Sequence, residues 1–431
     1  MVLEANNQQI STTELQETKL YKKRWLILLL YVIVIPCDAM QWNQYVTVAD
    51  VIADYYNVSY EDVDWTSLIT SLCFMIFSLP CCYIVDKYGN RGSAIVSGIG
   101  TSIGAWIKVA SVSADRFWLV IFSQAVMAVT HAPMLNMAPK IAANWFGPDE
   151  VSIACAIGIT GMQIGLAFGF VLPPLLIRKE TVKIDLFKTN IGVAVICTIA
   201  ALLIFFFFTD KPPVPPSYAV INQNHKIKYI ESTKKVLKNK SFLLLLLGYG
   251  LTLAIYVVFQ TVLNQLILKL YPDGSEDVGL IGLLMIVMSI CGTIFAAFLI
   301  DKLKTFRLLL IFFGLFVTLT LIAFTFTLDL NIIYPYILCS LFGFSTASFW
   351  SVSLQITIET VYPEPEVIIF GYLNAFGQLL GIGYTYAYSY FLYEISDFWA
   401  NCFLCISSLI CLLITICTKF DLNRTNINTK Q

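Results

Sequence analysis

The chain has 431 residues, of which 58% are hydrophobic and 13% charged, with a formal net charge of -1. Water-soluble domains average about 45–50% apolar and about 25% charged residues, so this composition excludes an ordinary soluble domain and points to a polytopic membrane protein. A balance so close to neutral gives no electrostatic footprint for nucleic acid, and no nucleic-acid partner is expected.

Residues 1–18 are polar, carry Glu4, Glu14 and Glu17, and do not resemble a cleavable signal peptide; 1–23 reads as a tail. Crossing ~30 Å of hydrocarbon takes about 20 apolar residues. Twelve segments meet that need, at about 25–49, 65–85, 93–112, 117–139, 151–177, 189–209, 242–270, 278–300, 307–327, 331–356, 367–392 and 397–418. Pro173-Pro174 stops or kinks the fifth.

The first segment contains Asp38-Ala39-Met40-Gln41-Trp42-Asn43-Gln44-Tyr45. An acid, three amides and two amphipathic rings are costly in a spanning helix and face a cavity rather than lipid. Asp38 and Trp42 are four apart and share a helix face, with Tyr45 three further on. All 12 cysteines fall in apolar segments and read as packing residues, not disulfides. Cys402-x-x-Cys405 has no second ligand pair, so no metal is expected.

Lys19, Lys22, Lys23 and Arg24 precede the first segment, whereas 50–64 holds Asp50, Asp54, Glu61, Asp62 and Asp64 and no base. This positive-inside asymmetry places both termini in the cytoplasm, although Arg178, Lys179, Lys183 and Lys188 run against it. Asn57-Val58-Ser59 is a glycosylation sequon in the acidic loop. Residues 210–240 combine Pro212, Pro213, Pro215 and Pro216 with a run of lysines and read as a basic linker able to lie on anionic lipid. They divide a first bundle, 24–209, from a second, 241–419, with a tail at 420–431.

The two bundles repeat one another. Asp86-Lys87-Tyr88-Gly89-Asn90-Arg91 follows the second segment and Asp301-Lys302-Leu303-Lys304 follows the eighth. At the same offset Gly161-Met162-Gln163 matches Phe376-Gly377-Gln378, and Trp42 falls within one residue of Tyr256. Twelve spans in two parallel sixes resemble the major facilitator superfamily, an all-α membrane fold of two pseudo-symmetric six-helix bundles. In that resemblance Asp86, Lys87, Gly89 and Arg91, with Asp301 and Lys302, form a gating loop whose acid meets a helix terminus and whose bases pair with acids of the adjacent half. The repeat-related pairs Trp42 with Tyr256 and Gln163 with Gln378 would face one central cavity.

That cavity is rich in rings and amides and poor in charge. Facing aromatics suit an organic cation, each ring contributing about 0.5–2 kcal/mol. Lys108 and Lys269 lie near the outer ends of their spans and are expected to snorkel. His131 reads either as a core histidine or as a proton or ligand group.

Residues Arg24 to about Pro174 and about Gly248 to Asn426 resemble the feline leukaemia virus subgroup C receptor family. The motifs are the Asp38–Tyr45 run, Gly104-Ala-Trp-Ile-Lys108, Asn144-Trp-Phe-Gly-Pro148, Gly161-Met-Gln-Ile-Gly165, Leu263-Asn-Gln265, Phe324-Thr-Phe-Thr-Leu-Asp329 and Tyr362-Pro363. The resemblance implies transport of choline or ethanolamine, with haem export as the alternative, and a choline site at Trp42, Gln163, Tyr256 and Gln378. Asp38 stands where relatives carry Asn and His131 where they tend to carry Gln. The expectation is a monomeric, plasma-membrane, alternating-access transporter without cofactor or enzymatic constellation. Its substrate-binding residues are Trp42, Gln163, Tyr256, Gln378, Asp38 and Tyr45.

Overall fold

The computed structural model describes residues 19–418 except 136, 148–149, 215, 217–228, 273, 304, 362–363 and 365. The expected tails at 1–18 and 420–431, and the side chains of Asp86, Lys87 and Asp301, lie outside what is described. The first half holds α1 (Lys23–Asn43), a 3-10 turn (Val46–Val48), α2 (Ala49–Tyr56), α3 (Tyr60–Ala110), α4 (Phe117–Leu135), α5 (Met137–Trp145), α6 (Val151–Leu176) and α7 (Val182–Phe207). The amphipathic α8 (Tyr229–Lys238) leads into α9 (Lys240–Leu270), α10 (Ser275–Leu303), α11 (Phe306–Thr327), α12 (Ile333–Val361), α13 (Glu366–Tyr390), a π turn (Phe391–Ile395) and α14 (Asp397–Cys417).

Among the described residues, ten helical stretches are long and apolar enough to cross a membrane. The other two expected spans, 65–85 and 367–392, are helical as well, as the first part of α3 and as α13. Both turn polar residues inward, among them buried Thr66, Ser67, Ser71, Gln378 and Thr385. The stretch 50–64 is not the open loop expected of it. Most of it is α2 and the start of α3, which a capping box of Ser59 and Asp62 begins. Exposed Asn57 caps α2 at φ 53°.

Gly89 breaks α3 at φ 78° and ψ 172°, a conformation open in practice only to glycine. A Cβ there would lie 2.8 Å from the Asp210 carboxylate oxygens. That carboxylate accepts the Asn90 amide at 2.6 Å and the Arg91 amide at 3.4 Å, capping the helix that restarts after the break. The acid at this helix terminus is therefore Asp210, from the end of the first bundle. Arg91 makes its contact within its own half: its Nη2 donates to the Phe205 carbonyl at 3.4 Å. Arg307 repeats the contact in the second half, donating to the Ile416 carbonyl at 2.8 Å. The repeat read in the sequence is thus a repeat of contacts as well. Lys302, the described member of the looser copy, lies 5.7 Å from the Phe298 ring.

One apolar core fills the first half around Tyr31, Ile35, Met134, Ala138 and Cys197. A second spans both halves, joining Trp42, Phe74, Leu166 and Phe170 to Tyr256, Phe259, Met285 and Phe342. Gly165 lets α6 settle onto α1, since a Cβ there would lie 2.6 Å from the Pro36 backbone.

The halves are joined on the face that carries α2. Asn264 donates to the Thr47 carbonyl at 2.9 Å, and Gln265 donates to Asp64 at 2.7 Å while accepting from Tyr393 at 2.8 Å. Tyr60 stacks on Tyr393 with centroids 5.9 Å apart. Asp50 also meets Lys179 at 2.9 Å, and that hydrogen bond and charge hold the Lys179 ammonium above the usual lysine range. This face is shut.

Candidate functional site

Trp42 sits on the last turn of α1, buried at the seam between the halves. Its indole Nε1 donates to Ser67 Oγ at 3.1 Å, and Thr261 of α9 donates to the same oxygen at 3.4 Å. Phe74 stacks beneath the indole at 5.7 Å and 24°. Asp64, Ser67, Ser71 and Phe74 recur at intervals of three and four, so one stripe of α3 carries both the Trp42 support and the Asp64–Gln265 link.

Tyr256 belongs to the same core. Trp350 meets it edge-on at 4.9 Å and Phe342 stacks at 6.3 Å, while the Trp350 indole is pinned by a 3.1 Å bond to Thr252. Gln378 lies on α13, whose Gly377 and Gly381 pack onto Leu253 and Val257 of α9. It is only 6% exposed, and its Oε1 makes no hydrogen bond among the described residues. Gln163 is half-buried beside Met162, which packs on the shared core. Among the described residues, Ser71 Oγ and both amide atoms of fully buried Asn43 also lack hydrogen bonds. Buried polar atoms left open in a membrane interior cost roughly 1–3 kcal/mol each, and such costs concentrate where a ligand is expected to supply the partner.

Asp38 lies one turn before Trp42. Thr101 donates to its Oδ1, and His131 Nδ1 stands 3.0 Å from its Oδ2. That approach makes no hydrogen bond. The His131 ring also meets Phe74 edge-on at 6.3 Å, which links it to the Trp42 stack. Asp38, Gln41, Trp42, Thr70, Gln124 and His131 line one cleft of about 10 Å³, room for about a single water. The site is therefore contracted in this conformation. Two larger cavities, of about 280 and 540 Å³, lie beside Lys188 on α7 and hold none of the expected site residues.

Two expectations are corrected. Tyr45 does not continue the Trp42 face, because α1 ends at Asn43 and the chain turns. Tyr45 is fully buried within the first half, where its hydroxyl accepts from Asn190 at 3.0 Å. Lys108 does not snorkel. It is 0% exposed, with Nζ 3.2 Å from Gln44 Oε1, 3.5 Å from Gln41 Oε1 and 5.3 Å from the Tyr45 ring centre. Lys269, by contrast, is partly exposed and reaches the Leu392 carbonyl at 2.7 Å.

The residues missed by sequence reasoning are Ser67, Ser71, Phe74, Thr101, Phe342 and Trp350; the α3 stripe was the signal for three of them. Among the described residues no group of three or more His, Cys, Asp or Glu could hold a metal ion.

A family model described as the Major Facilitator Superfamily matches residues 30–385. The chain is 32% identical to the choline/ethanolamine transporter flvcr2a of Danio rerio, over 97% of this chain and 91% of that one. It is 33% identical to the choline/ethanolamine transporter FLVCR1 of Felis catus, over 96% and 75% respectively. An uncharacterized MFS-type transporter of Caenorhabditis elegans is 34% identical over 96% of this chain and 72% of its own. Among solved structures, a bacterial homolog to the human lysosomal transporter Spinster, described as inward-facing and occupied, superposes with a TM-score of 0.70. That match has 14% identity and covers 92% of this chain and 97% of the other.

Proposed function

The chain belongs to the major facilitator superfamily, within the feline leukaemia virus subgroup C receptor family, and is a multi-pass membrane transporter; from that membership we propose that it carries choline or ethanolamine by alternating access. The observation that carries the substrate reading is Trp42. Its ring is fixed by Ser67 and Phe74 and shares a cleft with the Asp38 carboxylate. A ring face and an acid together suit an ammonium group, whether quaternary or primary. Tyr256 with Trp350 would form the opposing wall. Gln378, with an open acceptor, and Gln163 would address the hydroxyl or amine end.

In this reading the contracted site opens as the two halves rock, and the joined α2 face opens in the opposite state. Gly89, Arg91 and their neighbours Asp86 and Lys87, with Asp301 and Lys302, act in that motion on the terminal face. Both termini are cytoplasmic, the protein is a monomer in the plasma membrane, Asn57 is the glycosylation site, and 210–240 lies on anionic lipid between the two bundles. An inside-negative potential then favours entry of a cation by about 2.3 kcal/mol per 100 mV.

Haem export is the weaker reading. His131 faces Asp38, and among the described residues no Lys or Arg lines the cleft to meet a propionate. The test is uptake of labelled choline, ethanolamine and haem by transport-deficient cells expressing the chain. Saturable choline or ethanolamine uptake is expected; haem flux without either amine would overturn the proposal.

A further inference from the structure

Asp38 and His131 are a buried acid and base in the membrane interior, with side chains 1% and 5% exposed, on two different helices of one bundle. A carboxylate in the membrane interior costs several kcal/mol unless it has a partner, and the imidazole at 3.0 Å is the titratable group placed to be one. The contact can be broken: Nδ1 and Oδ2 are 3.0 Å apart but not hydrogen-bonded, and His131 Nε2 makes no hydrogen bond among the described residues. The pair also borders the cleft that Trp42 lines.

Titratable groups near the pair come from the helix of Asp38 itself and from three others. Tyr31 and Cys37 share α1 with Asp38, and the Tyr31 hydroxyl donates to the Met134 carbonyl at 3.1 Å. Cys155 of α6 lies near Tyr31. Cys197 of α7 accepts from Gln41 at 3.5 Å. Lys108 of α3 reaches that same Gln41. None of these groups has a contact with Asp38 as short as that of His131.

We propose that the Asp38–His131 pair is a proton site that empties when a cationic substrate enters, so that transport exchanges the cation for a proton. The balance is simple. With the site empty of substrate, carboxylate and imidazolium sum to no charge. A cation arriving at Trp42 faces Asp38, the imidazolium N–H proton passes to water on the open side, and the site is again neutral. This rests on the cation reading above and adds a second, exchanging ion to it; a one-for-one exchange moves no net charge, so the proton gradient replaces the membrane potential as the driving force.

The test is calorimetric titration of the purified full chain with choline, and in parallel ethanolamine, in two buffers of different ionisation heat. Release approaching one proton per bound choline is expected, with affinity rising about tenfold per pH unit until the pair is already deprotonated. Asp38→Asn and His131→Gln should each abolish the release and flatten the pH dependence. Choline binding by the parent without proton release between about pH 5 and 8 overturns the proposal and leaves the cation reading standing. Release that persists in both variants assigns the proton elsewhere, Lys108 first, and also overturns it. Binding of neither amine by the parent overturns both readings together.

Discussion

Asn264 of α9 holds Asp50 of α2 twice: its Nδ2 donates to the carboxylate at 3.3 Å and its Oδ1 accepts the Asp50 backbone amide at 3.3 Å. One side chain thus ties a helix of the first half to the core helix of the second on the face that is shut. A third bond runs to the Thr47 carbonyl. Each such bond contributes roughly 0.5–1.5 kcal/mol net, so Asn264→Ala is expected to favour opening of this face by about tenfold or more. A cysteine introduced at Tyr60 should react correspondingly faster with a thiol reagent in the Asn264→Ala background. Unchanged reactivity would show that Gln265–Asp64 and the ring contacts close the face without Asn264.

Gly89 is constrained twice, by its φ and by the Asp210 carboxylate over it. Gly89→Ala is expected to cost about 1–3 kcal/mol from the backbone alone, seen as a lower melting temperature of the purified protein. Asp210→Asn keeps an acceptor for the Asn90 and Arg91 amides and should be milder than Asp210→Ala. Equal losses for the two would assign Asp210 a role other than capping.

Gln378 separates stability from function. Its buried Oε1 has no hydrogen-bond partner among the described residues, so Gln378→Leu is expected to leave thermal stability unchanged or raise it by up to about 1–3 kcal/mol. The same substitution should lower amine uptake and change the choline-to-ethanolamine ratio. Parallel loss of stability and uptake would mean that Gln378 is structural.

Much of this was legible in the chain, for reasons that differ by residue. Asp38 and Trp42 stand out because an acid and an indole in hydrocarbon are expensive, and they do share a cleft. The repeat was legible at polar punctuation, and Arg91 and Arg307 make the same contact in both halves. Tyr45 was misplaced because helical spacing was carried past the end of α1, and nothing local at Asn43 marks that end. Lys108 was misplaced because its partners, Gln41, Gln44 and Tyr45, come from another helix, and position along a span does not reveal a tertiary oxygen. Ser67 and Ser71 were missed although their spacing was visible, because only tertiary packing shows that this stripe meets Trp42. Asp210 was hidden by composition, since it opens the proline- and lysine-rich linker.

The most direct measurement is uptake of labelled choline by Trp42→Ala and Trp42→Phe at matched surface expression. Phe keeps a ring face while losing the bond to Ser67, whereas Ala loses both. If the indole face binds the ammonium, Ala should reduce uptake at low substrate by about 2- to 30-fold, the equivalent of roughly 0.5–2 kcal/mol, and Phe should retain most of it. Equal and slight losses for the two substitutions would contradict a cation site at Trp42.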